Sequence, residues 1–203
     1  MSDFRKGEDE LPGITTPVPV LIITGPLGVG KTTVLDEVAE RLRDAGVAFA
    51  AVDLDALSWA HPPAPGDDRY RSGLMFRNLA SVWANFRLAG AQRLVCARVI
   101  ESRGELELYR AAIPGAAITV ARLRASHETL ETRLAHRLAR RDLVEGQEQQ
   151  EHRARRERRA LRSRELAEVM DRQALEDVLV STDGRGAGAV ARDVLVGAGW
   201  PGA

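Results

Sequence analysis

Residues 25–32 read Gly-Pro-Leu-Gly-Val-Gly-Lys-Thr, which fits G-x-x-x-x-G-K-[ST] at every position. These residue types at this spacing suit the gripping of a phosphate chain. Glycines let the backbone curl until successive N–H groups point inward at anionic oxygens. A helix opening near Gly30 adds the positive end of its dipole. Lys31 supplies an ammonium group for the outer phosphates, and Thr32 offers a hydroxyl suited to Mg2+. Thr33 follows as a helix-start residue. Together with Gly25, Gly28, Val29 and Gly30 it completes the run expected beside a nucleotide.

A second group is Asp53-Leu54-Asp55, at the end of an apolar run. Alternate residues of an extended chain project to one side, so both carboxylates are expected to face the cleft beside the phosphate loop. One would take or orient the proton of an attacking hydroxyl, with Asp53 preferred. The other would hold metal-bound water or the acceptor. The competing reading is a polar strand end in which an Asp caps the next helix. A third group is Arg133 and Arg137, four apart on one helix face. Arginines there can neutralise the charge that builds on a phosphoryl group in transfer, or they can belong to a solvated face. Glu101, after Leu-Val-Cys-Ala-Arg-Val-Ile, stands nearest to the place of a strand-end metal carboxylate, and is read as an exposed strand end.

These groups need a frame. Residues 18–24 form an apolar, β-branched run that ends at glycine, which marks a buried parallel strand. Helical spacing follows from Lys31 through Val34, Leu35, Val38 and Leu42 to a stop at Gly46. Further strands are expected at 47–53, 92–100, 116–123 and 177–181. Helices are expected at 74–88, 104–113, 129–138 and 188–197, with a charged, mostly helical stretch at 142–171. Strands alternating with helices imply an α/β fold with a parallel sheet and helices on both faces. Such sheets bind ligands at the carboxyl ends of their strands, which is where the loop, the acidic pair and Glu101 fall.

The chain has 203 residues, 44% hydrophobic and 29% charged, which suits one globular domain with a sizeable core. Residues 1–16 lack a hydrophobic period and read as a loose tail before a domain at 17–203. A net charge of zero gives no global attraction to nucleic acid or an anionic membrane. One cysteine, Cys96, excludes an internal disulfide and a cysteine-rich zinc site. No apolar stretch reaches the ~18 residues of a membrane span, and the N-terminus is no signal peptide, so a cytoplasmic protein is expected. Arginines 153–164 interleave with Glu148, Glu151, Glu157, Glu165 and Glu168, and pairs such as Glu151–Arg155 and Arg153–Glu157 fall at four-residue spacing, which favours a salt-bridged solvated helix. They lack aromatics for base stacking, so nucleic acid is not the expected partner.

The order of strand, phosphate loop, helix, strand, Asp-x-Asp and R-x-x-x-R resembles the nucleoside-monophosphate-kinase-like group of P-loop kinases. Within it, adenylylsulfate, gluconate and shikimate kinases are similar in pattern. Asp67-Asp68-Arg69, then Arg77-Asn78-Leu79, resembles the adenylylsulfate-kinase run, although Met75 stands where that run has an arginine. The resemblance implies a three-layer αβα P-loop NTPase fold with a five-stranded parallel sheet and an arginine-rich helical lid at about 139–172. It implies transfer of the γ-phosphoryl group of ATP, with Mg2+, to a small-molecule hydroxyl or phosphate. Lys31 and Thr32 would hold the nucleotide phosphates and the metal, and Asp53 and Asp55 would sit by the acceptor hydroxyl. Arg69, Arg77 and Asn78 would line the acceptor pocket, Arg133 and Arg137 would close over the phosphates, and Asp183 would lie near the nucleotide base. The chain has no N-K-x-D guanine-reading motif, which favours ATP over GTP. The alternative is a nucleotide-binding switch that docks a partner and turns over little.

Overall fold

The computed structural model describes residues 17–62, 72–145 and 149–203, with backbone alone at 138–145, 149–153, 155 and 156. Five strands, β1 (Val18–Thr24), β2 (Phe49–Asp53), β3 (Arg93–Ala97), β4 (Ala116–Arg124) and β5 (Val178–Ser181), form one sheet in the order β2-β3-β1-β4-β5. Every pairing is parallel. Among the described residues, six α-helices connect and flank them: α1 (Lys31–Asp44), α2 (Ser72–Leu88), α3 (Arg103–Ala112), α4 (His127–Glu145), α5 (Gln149–Gln173) and α6 (Ala187–Ala198).

β1 is central and apolar on both faces because the sheet is covered on both. Leu21 and Ile23 join one core with Val34, Leu35, Val38 and Leu42 of α1 and Val190, Val194 and Leu195 of α6. Val20 and Ile22 join the other with Met75, Phe76, Leu79 and Trp83 of α2 and Leu106 and Tyr109 of α3. Single-residue alternation along β1 thus fixes which helices lie on which face. Among the described residues, no helix is long and apolar enough to cross a membrane.

Several expected boundaries shift for local reasons. β2 begins at Phe49 rather than 47, because the Val47 N–H turns back to Leu42 O and closes the end of α1. β3 ends at Ala97 rather than at 100. Arg98 N still reaches Ile23 O at 3.1 Å, but Ile100 N goes to the hydroxyl of Thr24 at 3.0 Å, so the chain leaves the ladder. α4 runs on to Glu145, past the expected end at 138, through residues with good helix propensity. The charged stretch becomes part of α4 and the separate α5.

Candidate active site

The phosphate loop is built by backbone that few residues tolerate. Gly25 has φ +147°, and a Cβ there would lie 2.6 Å from the Leu123 carbonyl of β4. Gly30, the N-cap of α1, is left-handed with φ 106°, and a Cβ there would meet nothing within 4 Å. The one glycine permits close packing on the sheet, and the other leaves space at the helix mouth, where anions bind. Lys31 Nζ donates to the carbonyls of Gly25 at 3.0 Å and Pro26 at 3.2 Å, so the ammonium lies folded along the loop. Burial lowers its pKa to about 8. Asp55 and Asp53 pull the other way, and the nearby Arg137 guanidinium adds to the lowering. An ammonium group held so has a strong preference for an anionic partner.

The acidic pair is placed beside this loop by register. Asp53 closes β2 opposite Ala97 of β3. The chain then turns at once into a 3-10 helix, Leu54–Ser58, with Asp53 as its N-cap. The expectation that Asp53 and Asp55 alternate along an extended strand is therefore corrected: Asp55 lies in the first turn after the strand. Asp53 joins both motifs. Its Oδ2 accepts from the Thr32 hydroxyl at 2.7 Å, and its Oδ1 accepts from Asp55 N at 3.1 Å. The capping role and the position beside the phosphate loop thus coexist in one carboxylate. Asp55 Oδ1 lies 3.5 Å from the Arg98 guanidinium.

The donor set suits Mg2+. Thr32 gives its proton to Asp53, which leaves its oxygen lone pairs able to bind a cation, and a carboxylate lies alongside for metal-bound water. Mg2+ takes few protein oxygens and shares its shell with phosphate and water. The described residues contain no cluster of three or more His, Cys, Asp or Glu that could hold a metal alone.

The other expected site residues lie as follows. Arg133 is half-buried and donates to Val29 O at 3.0 Å, to the Thr182 hydroxyl at 2.9 Å and to Thr182 O at 2.9 Å. It ties α4 to the phosphate loop and to the turn after β5. Arg137, one helical turn on, is exposed and acts electrostatically on Lys31. Asp183 accepts from Ser126 N at 2.9 Å. Hydrogen bonds from Thr129 and Ser126 keep its carboxyl below the ordinary range. Asn78 donates to Leu57 O at 2.8 Å, joining α2 to the 3-10 helix, while Arg77 is exposed. Arg69 lies outside the described residues. Glu101 is not a free strand end: it accepts from Arg162 of α5 at 2.6 Å. Next to that pair, the Ser163 hydroxyl donates to Leu27 O of the phosphate loop at 2.7 Å.

Sequence reading missed Arg98 and Arg122, both nearly fully buried at strand ends. The available signal was an arginine inside an otherwise apolar strand, in Val-Cys-Ala-Arg-Val and Val-Ala-Arg-Leu. Arg122 is paired with Asp171 at 2.6 Å and Glu176 at 3.4 Å, which fastens α5 to the sheet.

No family model matches the sequence. No curated protein matches it either. Solved structures do. The chain is similar to a gluconokinase from Sinorhizobium meliloti 1021, with 21% identity, TM-score 0.55, and coverage of 90% of this chain and 92% of that one. It is similar to the tunicamycin resistance protein of Deinococcus radiodurans, with 21% identity, TM-score 0.57, and coverage of 90% and 96%. It is also similar to an APS kinase from Mycobacterium tuberculosis solved with AMPPNP and APS, with 17% identity, TM-score 0.54, and coverage of 90% and 98%. With its five-stranded parallel sheet between helical layers and its phosphate loop at the carboxyl end of β1, the chain has the fold of the P-loop small-molecule kinases.

Proposed function

We propose that the chain is an ATP-dependent phosphotransferase that moves the γ-phosphoryl group to a hydroxyl or phosphate of a small molecule. One observation carries the reading. The 2.7 Å bond from Thr32 to Asp53 fixes a carboxylate at the mouth of the phosphate loop, with Asp55 in the next turn and Lys31 in electrostatic reach of both. One acid is enough for metal-bound water in a loop that only stores a nucleotide, so the second favours an acceptor. The kinases among the structural neighbours favour the same reading.

In this reading the loop amides and Lys31 hold the triphosphate. Thr32, and Asp53 through water, would hold Mg2+, which would supply neutralisation of phosphate charge. Asp53 orients the acceptor hydroxyl and takes its proton as the oxygen attacks. Arg137, in electrostatic reach of Lys31, would offset charge on the transferred group, and Arg133 would keep the loop in shape. Asp183 and the turn after β5 border the nucleotide on the α4 side.

The alternative, a switch with little turnover, draws on a different contact. Ser163 and Arg162 connect α5 to the phosphate loop and to Glu101, so a nucleotide that shifts Leu27 would be felt by α5. The two readings part on turnover. ADP release from MgATP is expected to depend on an added acceptor mixture and to vanish in Lys31→Ala. Stoichiometric binding with no acceptor-dependent ADP favours the switch.

A further inference from the structure

Side chains hold the carbonyls of the phosphate loop. Lys31 Nζ donates to Gly25 O and Pro26 O, Arg133 of α4 donates to Val29 O, and the Ser163 hydroxyl of α5 donates to Leu27 O at 2.7 Å. The Lys31 ties are internal, and Lys31 must share its N–H groups with the phosphates once a nucleotide is bound. The ties from Arg133 and Ser163 come from outside the loop and do not compete with the ligand. A carbonyl and the N–H of the next residue belong to one planar trans peptide and point in opposite directions. Holding Leu27 O toward α5 therefore turns Gly28 N–H away from α5, and holding Val29 O toward α4 turns Gly30 N–H away from α4. The concave side of such a loop is where N–H groups collect for an anion. α4 also presses on the loop at Gly28, where a Cβ would lie 2.9 Å from the Leu134 side chain.

Ser163 is the sole hydroxyl residue of α5, and it is only 1% exposed. A serine within a helix commonly turns its hydroxyl to its own helix or to water. This one reaches a carbonyl 136 residues away in the chain. Its two neighbours fix the helix at that level. Arg162 pairs with Glu101, after β3, at 2.6 Å, and Arg164 pairs with Glu131 of α4. Successive helix residues project in different directions, so α5 is pinned here on several sides. Further along, the buried Arg122 of β4 holds Ala167 O and Asp171. The hydroxyl is thus presented to the loop from a fastened base.

We propose that Ser163 is a positioning residue for nucleotide binding: it holds the Leu27–Gly28 peptide with its N–H turned to the triphosphate, before and after the nucleotide arrives. The proposal rests on the phosphotransferase reading and adds that its nucleotide site depends on a helix far away in the chain. Ser163 touches no substrate atom and takes no part in bond changes. Without its hydroxyl, Leu27 O loses its donor and the peptide is free to rotate. Binding must then reorder that peptide, and affinity falls.

The test uses full-length protein titrated calorimetrically with MgAMPPNP between pH 7 and pH 9. In Ser163→Ala the affinity is expected to fall by about tenfold, while the melting temperature changes by less than about 4 °C. Ser163→Cys, of similar volume but a weaker donor, falls between. Arg164→Ala removes the neighbouring tie to Glu131 without touching the loop, and stays within about twofold of the wild type. Lys31 bonds to Gly25 and Pro26 and not to Leu27, so affinity in Ser163→Ala still begins to fall at about pH 8, on a curve lowered as a whole. A general loosening of the loop would return Lys31 to water and move that point towards its ordinary 10.5. Wild-type affinity in Ser163→Ala, an equal loss in Arg164→Ala, or a displaced pH profile overturns the inference and leaves the phosphotransferase reading standing. If the wild type itself does not bind MgAMPPNP, that reading falls, and the inference with it.

Discussion

Lys31 gives the most quantitative handle on the phosphate loop. In the free protein its ammonium group is desolvated and its pKa lies near about 8, against an ordinary value of 10.5. A triphosphate laid against it restores the charged form, so nucleotide binding takes up a proton wherever the free lysine is neutral. Below pH 8 the lysine is protonated in both states and affinity is flat. Above pH 8 the free form loses its proton, and each further pH unit weakens binding by close to tenfold until the bound pKa is reached. Between pH 7 and pH 9 the MgATP affinity is therefore expected to fall by about tenfold, or about 1.4 kcal/mol. Isothermal titration calorimetry in buffers of different ionisation enthalpy measures both the affinity and the proton uptake. Lys31→Arg removes the titration, because a guanidinium stays charged across this range. Affinity that is flat to pH 9 in the wild type, or a fall of the same size in Lys31→Arg, would refute the argument. The linkage also acts on stability. A lysine pKa lowered by folding means that the folded state binds fewer protons than the unfolded one between about pH 8 and 10.5, so stability rises with pH across that window. Lys31→Met is expected to raise the stability of the nucleotide-free protein at pH 7 by about 1–2 kcal/mol, after allowance for partial exposure.

Asp53→Asn is expected to lower acceptor-dependent turnover by about a hundredfold or more while MgATP binding survives, because the amide can still accept from Thr32 but takes no proton. Steady-state and binding assays check the split between the two. Arg133→Ala leaves Val29 O and Thr182 without their donor and is expected to cost about 2–3 kcal/mol in chemical denaturation, and to weaken nucleotide binding as the loop loosens. Tyr109→Phe removes a buried hydroxyl without a partner, so the free protein should be unchanged or up to about 1 kcal/mol more stable. Gly25→Ala forces a Cβ onto the Leu123 carbonyl at a positive φ, and should unfold the loop region or lower the melting temperature markedly.

The sequence made the sheet and the phosphate loop legible because each depends on short-range pattern. The β1 run, the glycines and the Lys-Thr pair form one continuous segment, and buried parallel strands are apolar throughout. Asp53 was legible for a similar reason, as the polar end of such a run. The turn after it was not, since whether Asp55 extends the strand or enters a 3-10 helix depends on the Asp53 cap and on α2 packing against that turn through Asn78. The arginines show the limit most clearly. Arg133, Arg137 and Arg162 are alike in sequence, all on charged helices, yet one holds the loop, one is exposed near Lys31 and one pairs with Glu101. Only tertiary placement separates them. Arg98 and Arg122 lay in apolar strands, where an arginine was the anomaly, and their partners come from more than 40 residues away in the chain.

The destination of the γ-phosphoryl group bears most directly on the account as a whole. Phosphorus NMR of wild-type protein with MgATP and a mixture of small-molecule alcohols and phosphates is expected to show a new phosphorylated-product resonance growing as the γ-phosphate signal declines, and growing at least about a hundredfold more slowly in Asp53→Asn. Release of the γ-phosphate only as inorganic phosphate, at one rate with or without the mixture, would contradict it.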